Sequence, residues 1–248
     1  ATRYAAHADE AIESLQQAGL APAAFMVDSA FLTNGAPNVP DGYLKSVFAK
    51  VRAAGGLCIA DEVQSGFGRM GAHMWGHAHH GVTPDIVTIG KPAGNGHPLG
   101  VVITTPAIME CFLRETAFFS TFGGNNVSCA AGLAVLDVIE RERLVENAGK
   151  TGAFLKQGIT ALMDRHDVIG DVRGRGLSLC IELVGDRNSL APARAETDRI
   201  LNLMRDEGVL VGNEGLHGNI VKIRPPMVFG KEHAELVVNA LDRALSRL

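Results

Sequence analysis

Several features that mark specialised protein classes are missing from this sequence of 248 residues. Its formal net charge of −4 gives no reason to expect nucleic acid or an anionic membrane as a partner. No apolar run is long enough to span a bilayer, and the N-terminal residues lack the apolar core of a signal peptide. Hydrophobic residues nevertheless make up 46% of the chain. We therefore expect a globular protein with a sizeable core.

Cysteine is also scarce, and its four positions are far apart in apolar runs. There is no C-x-x-C pair, which argues against a zinc ribbon or a redox motif. Free, buried thiols are typical of a reducing compartment, so the sequence predicts a cytoplasmic location. The four residues are Cys58, Cys111, Cys129 and Cys180.

Helix-like and strand-like runs alternate along the chain, which predicts an α/β fold with a mostly parallel sheet. The pattern changes near residue 166, so we predict a large domain over residues 1–165 and a smaller α/β domain over residues 166–248. The chain starts without Met and in what reads as mid-helix, so we expect the large domain to be N-terminally truncated. Predicted strands are 23–29, 57–60, 85–90, 99–105, 208–212 and 219–226, and two more strand-like runs lie within residues 167–184 on either side of "RGRG", which we expect to be a turn. Predicted helices are 8–18, 44–54, 127–140, 144–165, 195–207 and 231–248.

Two charged residues follow neighbouring predicted strands. Asp61 ends the run "LCIA", and Lys91 follows "DIVTIG". Ligands of open parallel sheets bind at the carboxyl ends of the strands, where both residues are expected. For an arbitrary lysine, a solvated side chain or a structural ion pair is the simpler reading, but the strand-end position and the glycine-rich surroundings of Lys91 count against it. If the site is functional, the lysine amine is a nucleophile for an aldehyde, and Asp61 pairs with the pyridinium nitrogen of pyridoxal phosphate.

Other charged residues allow two readings. Glu62 is either a supporting neighbour of the site or part of a salt bridge. The run "HMWGHAHH" holds four histidines, but no Cys or acidic ligand is interleaved, so we predict no metal site.

Three motifs together resemble the signature series of class III pyridoxal-phosphate-dependent aminotransferases, which have the fold type I architecture. They are "CIADEVQSGFGRMG", "PDIVTIGKPAGNGHPLG" and "FFSTFGGNNVSCAAGLAVLDVIE", and they occur in the family's order and spacing. The resemblance runs from about residue 22 to the C-terminus. It implies transfer of an amino group from an amine or amino acid substrate, with pyridoxal 5'-phosphate as cofactor.

The resemblance assigns roles to individual residues. It implies that Lys91 forms the internal aldimine and moves the substrate proton, while Asp61 holds the pyridine nitrogen. Val63 packs on the cofactor ring, and Gln64 lies near the phenolic oxygen of the ring.

Three further residues receive roles from the same resemblance. Ser120 and Thr121, in "STFGGN", bind the cofactor phosphate of a neighbouring subunit, which implies a homodimer with shared active sites. Arg224, in "KIRPP", binds the substrate carboxylate. Simpler readings are a plain turn for "STFGG" and a structural ion pair for Arg224.

Two departures from the common family pattern leave the reaction open. The family's N-terminal phosphate turn and stacking aromatic have no match before Asp61. The runs "KPAGNGHPLG" and "VDSAFLTNGAPNVPDGYL" resemble a branch with ethanolamine-phosphate and phosphohydroxylysine phospho-lyases and alanine–glyoxylate aminotransferase-like proteins. Alternatives to transamination are therefore elimination of phosphate from a phosphorylated amino alcohol, or a non-catalytic truncated domain.

Overall fold

The computed structural model describes every residue from Ala1 to Leu248. It contains seven α-helices and eight strands, connected by turns and short 3₁₀ helices. The helices are α1 (Thr2–Gln17), α2 (Tyr43–Ala53), α3 (Pro106–Glu115), α4 (Asn126–Arg141), α5 (Leu144–Ala161), α6 (Arg194–Asp206) and α7 (Lys231–Leu245). The strands are β1 (Ala24–Asp28), β2 (Leu57–Asp61), β3 (Ile86–Ile89), β4 (Val101–Thr104), β5 (Ile169–Arg175), β6 (Ser178–Leu183), β7 (Gly212–Glu214) and β8 (Ile220–Ile223).

Packing divides the chain into two compact units. Unit 1 contains residues 1–29, 39–67 and 73–142, and unit 2 contains residues 30–38, 68–72 and 143–248. The domain boundary between residues 165 and 166 was placed where the pattern of the sequence changes, and it stays a prediction. No helix is both long and apolar enough to cross a membrane.

Unit 1 is built on a four-stranded sheet in the order β1-β2-β3-β4. The first two pairings are parallel, and β4 closes the sheet antiparallel to β3. Helix α2 packs on this sheet because Leu44, Val47, Phe48 and Val51 fall on one helical face and are all buried. The α/β class with a mostly parallel sheet is confirmed.

Strand β2 carries the first motif to the edge of the sheet. Cys58 and Ala60 are fully buried and alternate with partly exposed residues, as expected for a strand packed on one side. The strand ends at Asp61, so the predicted site residues start where the hydrophobic strand ends.

Unit 2 has an antiparallel sheet in the order β5-β6-β8-β7. Strand β7 begins where the predicted strand 208–212 ends, so that prediction was displaced along the chain. The core lies between this sheet and helices α5, α6 and α7, and it includes Leu155, Ile181, Ile200 and Leu241.

The tight turn between β5 and β6 forms at Gly176, which has φ +53°. The sequence motif "RGRG" was expected to be that turn, but most of it lies in β5. Arg173 in this strand is 8% exposed, and its guanidinium pairs with Asp171 and Glu182. Its Nε also donates to the carbonyl oxygen of Gly35 at 2.8 Å.

Candidate active site

The carboxyl ends of β2 and β3 bring two of the predicted site residues to one edge of the sheet. Asp61 is the register partner of Thr88 in the parallel pairing. The backbone N–H of Glu62 extends the ladder by donating to the Thr88 carbonyl at 2.9 Å. Lys91 follows two residues after β3 ends. The structure therefore places Asp61 and Lys91 on neighbouring strand ends, as the sequence predicted.

The turn after β2 orients Asp61 and brings Val63 beside the lysine segment. The Asp61 carboxylate accepts a hydrogen bond from the Val63 N–H at 3.0 Å. A Cβ placed on Gly90 would lie 3.5 Å from Cγ2 of Val63, so the valine covers the residue directly before Lys91. Gln64 continues the same turn, which is closed by a bond from the Gly66 N–H to the Glu62 carbonyl at 2.9 Å.

Lys91 itself is exposed and has an unusual backbone conformation. Its φ is +29°, in the left-handed half of conformational space that residues with a Cβ rarely occupy. Such strain persists only where the surrounding structure enforces it, and it is found preferentially at functional sites.

Glu62 is fully buried directly beside Asp61. One carboxylate oxygen accepts from Ser29 Oγ at 3.2 Å, His77 N at 2.8 Å and His77 Nδ1 at 2.8 Å. The other accepts from Ser65 Oγ at 2.7 Å and Gly76 N at 2.7 Å. We call this set of five residues the Glu62 cluster.

The Glu62 cluster explains how a carboxylate is tolerated inside the protein. Burial alone raises the pKa of Glu62, but hydrogen bonds from His77, Ser65 and Gly76 outweigh burial and lower that pKa. Glu62 is therefore an internal anchor that holds the chain after β2 to residues 76–77. Glu62 lies directly beside the predicted site, as the first reading expected, and it pairs with a histidine, as the second reading expected.

The remaining histidines of "HMWGHAHH" make other contacts. His80 Nε2 lies 2.8 Å from the Ser29 carbonyl oxygen. The rings of His73 and His79 stack edge to face with centroids 4.8 Å apart. Trp75 packs edge to face on Phe67 at 5.4 Å.

Ser120 and Thr121 lie in an exposed turn before α4. Ser120 Oγ accepts a hydrogen bond from the Gly123 N–H at 2.9 Å, and Gly124 has φ +72°. Asn125 caps α4, because its side chain accepts from the Ser128 N–H at 2.9 Å. This turn offers hydroxyls and amides at the start of a helix, which suits an anionic group.

Arg224 lies in unit 2, directly after β8. It is close to Arg69, whose Nη1 donates to the carbonyl oxygens of Leu177 and Pro225 at 3.2 and 2.8 Å. Burial, and then the charge of Arg224, lower the pKa of Arg69 to about 10. Two neighbouring guanidinium groups make this part of unit 2 attractive for an anion. Sequence reasoning did not identify Arg69.

The residues at the sheet edge fit the chemistry of pyridoxal phosphate. Asp61 offers a carboxylate for a protonated ring nitrogen, and Val63 offers an apolar surface next to Lys91. On the same face as Asp61, the buried hydroxyl of Thr88 has no hydrogen-bond partner in the structure. A buried polar atom of this kind costs free energy, which a polar group on a bound molecule would recover. The roles of the individual residues stay predictions.

Comparison with known proteins identifies relatives over nearly the whole chain. The family model "Aminotransferase class-III" matches residues 3–245. Alanine–glyoxylate aminotransferase 2 homolog 2 of Arabidopsis thaliana is 49% identical over 226 residues, which are 91% of this chain and 47% of that protein. Alanine–glyoxylate aminotransferase 2 of Homo sapiens is 43% identical over 86% of this chain and 42% of its own. The chain thus spans about half the length of these relatives.

Solved structures agree with this comparison. A phospholyase from Arthrobacter in complex with phosphoethanolamine superimposes with a TM-score of 0.97 and 45% identity, covering all of this chain and 58% of the other. An aminotransferase from Bacillus anthracis has a TM-score of 0.85 and 32% identity, over 91% of this chain and 52% of the other. The family and the fold type I architecture expected from the three motifs are confirmed, and so is the branch expected from the runs that depart from the common pattern. The chain belongs to the class III aminotransferases, a family of pyridoxal-phosphate-dependent enzymes.

Proposed function

We propose that this protein is a pyridoxal-phosphate-dependent aminotransferase that transfers the amino group of a small amine or amino acid. The observation that carries the proposal is the meeting of Asp61, Val63 and Lys91 at neighbouring ends of parallel strands, in a chain of the class III family. When bound, the cofactor supplies an electron sink for the bond electrons released at the substrate carbon.

The chain's own residues bind and orient the reactants in this proposal. Asp61 holds the protonated ring nitrogen, and its Val63 N–H bond keeps one carboxylate oxygen fixed. Val63 and Gln64 contact the ring and its phenolic oxygen. The Lys91 amine moves the proton at the substrate α-carbon, for which its strand-end position and exposed side chain are suitable.

Substrate recognition falls to Arg224 in the same proposal. A planar guanidinium binds a carboxylate or a phosphate with two parallel hydrogen bonds. The adjacent Arg69 adds a second positive charge near Arg224, because the two guanidinium groups lie close enough to interact. We propose that this pair receives the anionic group of the substrate.

A homodimer with shared sites is part of the proposal. Ser120 and Thr121 bind the phosphate of the cofactor held by the second copy. Three phenylalanines flank these residues and are strongly exposed: Phe118 by 67%, Phe119 by 85% and Phe122 by 80%. Apolar surface of this kind is covered in stable proteins, and a second copy of the chain would cover it here.

The experiment that tests the cofactor proposal is a visible absorption spectrum of purified protein soaked in pyridoxal phosphate. We expect a band from the bound cofactor that Lys91→Ala abolishes. The matched control is Lys150→Ala, which removes an exposed lysine on α5 and should retain the band. If the unmodified protein shows no band, the enzyme proposal fails and the non-catalytic alternative is supported.

The second candidate function is elimination of phosphate from a phosphorylated amino alcohol. It is favoured by the high similarity to the Arthrobacter phospholyase, whose structure contains phosphoethanolamine. Both reactions begin with loss of a proton to Lys91, and they differ in whether a β-phosphate leaves. Release of inorganic phosphate from phosphoethanolamine without any keto acid would establish the lyase, whereas amino transfer that requires a keto acid would establish the aminotransferase.

We also propose a cytoplasmic location, since all four cysteines are free thiols. The expectation that all four are buried was wrong for Cys111 and Cys129, which are exposed. The Arabidopsis and human relatives are named as mitochondrial proteins. Fluorescent tagging of the full-length protein in its host distinguishes the two locations.

A further inference from the structure

A continuous chain of hydrogen bonds joins the Lys91 loop to the turn that holds Ser120 and Thr121. It begins at His97, whose Nε2 lies 2.7 Å from Ser128 Oγ in the first turn of α4. Ser128 is only 7% exposed, so this contact is largely shielded from water. His97 lies in "KPAGNGHPLG", the segment in which this sequence departs from the common family pattern.

The chain continues through Asn125. Its amide Nδ2 donates to Ser128 Oγ at 2.9 Å and to the Phe122 carbonyl at 2.7 Å. Its Oδ1 accepts from the Ser128 N–H at 2.9 Å. The opposite amide orientation would set Nδ2 against that N–H, so the hydrogen bonds fix the orientation of Asn125. Both hydrogens of Nδ2 are therefore used to link Ser128 with the turn.

The Lys91 loop needs an external support of this kind. Its turns are closed by three backbone bonds between residues only three apart: Ala93 N to Gly90 O at 3.0 Å, Asn95 N to Pro92 O at 3.2 Å, and His97 N to Gly94 O at 3.0 Å. These bonds must hold a strained Lys91 and a second left-handed residue, Asn95 with φ +44°.

Helix α4 also packs closely on the loop. A Cβ placed on Gly132 would approach Leu99 Cδ2 to 2.9 Å and the Ala93 carbonyl to 3.7 Å. The His97–Ser128 contact is thus the polar end of a tight loop–helix interface. A substitution of His97 or Ser128 therefore changes an interface whose atoms have little room to adjust.

We propose that His97 is a positioning residue that holds the Lys91 loop and the turn 120–124 in one fixed arrangement through Ser128 and Asn125. The proposal rests on the proposed function, in which Lys91 serves the cofactor of its own subunit. The turn 120–124 serves the cofactor of the second subunit. Each subunit therefore contains a link between the loop that serves its own active site and the turn that serves the active site of the second subunit.

The test replaces the two ends of the link separately and together. His97→Phe keeps a ring but removes both ring nitrogens, and Ser128→Ala removes the hydroxyl. His97→Gln restores a polar group close to the position of Nε2. His217→Phe is the matched control, because His217 lies in an exposed loop of unit 2.

Amide hydrogen exchange is measured first, in the protein without cofactor. We expect His97→Phe to accelerate exchange about fivefold at Asn95, His97, Gly123 and Asn125, since one hydrogen bond contributes about 1 kcal/mol. Ser128→Ala should have the same effect, the double variant should add nothing further, and His97→Gln should restore slow exchange. Unchanged exchange in His97→Phe, or additive effects in the double variant, would overturn the proposal.

The second readout separates positioning from simple loss of structure. In cofactor-soaked protein, His97→Phe should shift the pH midpoint of the visible band and lower kcat more than it changes KM. The control and His97→Gln should leave both unchanged. If the unmodified protein shows no band, the proposed function fails, while the exchange data still decide whether the link exists.

Discussion

Replacing Glu62 by Gln tests whether the Glu62 cluster anchors the turn that carries Asp61. The change keeps the size of the side chain and removes its charge. It also turns one acceptor oxygen into a donor NH₂ group. Each oxygen of Glu62 accepts from a backbone N–H, His77 N on one side and Gly76 N on the other, at 2.8 and 2.7 Å. Rotation of the glutamine amide therefore cannot avoid a contact between two donors.

The magnitude follows from the bonds that are lost. A hydrogen bond to a charged group contributes about 1.5–3 kcal/mol, and a buried group left unsatisfied costs about 1–3 kcal/mol more. We expect Glu62→Gln to lower the free energy of unfolding by about 3 kcal/mol.

Urea unfolding followed by the fluorescence of Trp75 measures this effect. Trp75 is the only tryptophan, it lies in unit 1, and it directly precedes Gly76 of the cluster. The matched control is Glu10→Gln on α1. Glu10 also pairs with a histidine, His7, but the two side chains are 71% and 65% exposed. The control should change stability by less than about 0.5 kcal/mol.

The same variant has a predicted pH dependence. The pKa of Glu62 is lowered in the folded protein, so its stabilisation is present above the ordinary glutamate pKa of about 4.3. It is lost as the pH falls through the lowered value. The difference between the unmodified protein and Glu62→Gln should therefore shrink in acid. A difference below about 1 kcal/mol at pH 7, or one that grows in acid, would refute the anchoring argument.

Two further predictions concern unit 2. On α5, Gly152→Ala would bring a Cβ to 2.1 Å from the Gly176 carbonyl oxygen, so it should destabilise the protein by about 2 kcal/mol. The Cβ of Gly149→Ala would meet nothing closer than 3.8 Å, so this variant should stabilise the protein by up to about 1 kcal/mol. Thermal unfolding of the two variants should shift in opposite directions, and a shift in the same direction would contradict the packing. The Asp242 carboxylate accepts from His166 Nε2 at 2.7 Å, a bond that lowers the pKa of Asp242, so Asp242→Asn should cost about 1 kcal/mol at pH 7. This cost should shrink as the pH falls below the ordinary aspartate pKa of about 3.9 and should vanish only below the lowered pKa of the folded protein, and urea titrations at pH 7 and in acid check it.

Local patterns were sufficient to predict much of the fold. Helix α2 follows from the spacing of its buried residues, and β2 and β3 from short apolar runs that end at turns. Asp61 and Lys91 could be placed at strand ends because the signal for each lies in the residues just before it. Helix α3 was missed. Its apolar residues Ile108, Met109, Phe112 and Leu113 recur with a helical period, but no residue of this helix is buried in the structure.

Contacts between distant segments could not be predicted in the same way. The partners of Glu62 include Ser29, 33 residues earlier, and His77, 15 residues later. Arg173 reaches Gly35 across 138 residues, and Arg69 reaches Pro225 across 156. No local period records such pairings, because they depend on how the elements pack after they form. The His97–Ser128 bond belongs to the same class, and no local pattern around His97 predicted it.

The left-handed backbone of Lys91 has a consequence for protein engineering. Glycine, which has no Cβ, would occupy φ +29° with less strain than lysine. The lysine is therefore retained against a local penalty of about 1–3 kcal/mol. A search that ranks variants only by folding stability would favour glycine at this position and would discard the amine on which the proposed chemistry depends. Stability and activity select different residues here, so a stabilised version of this protein should be designed with residue 91 held constant.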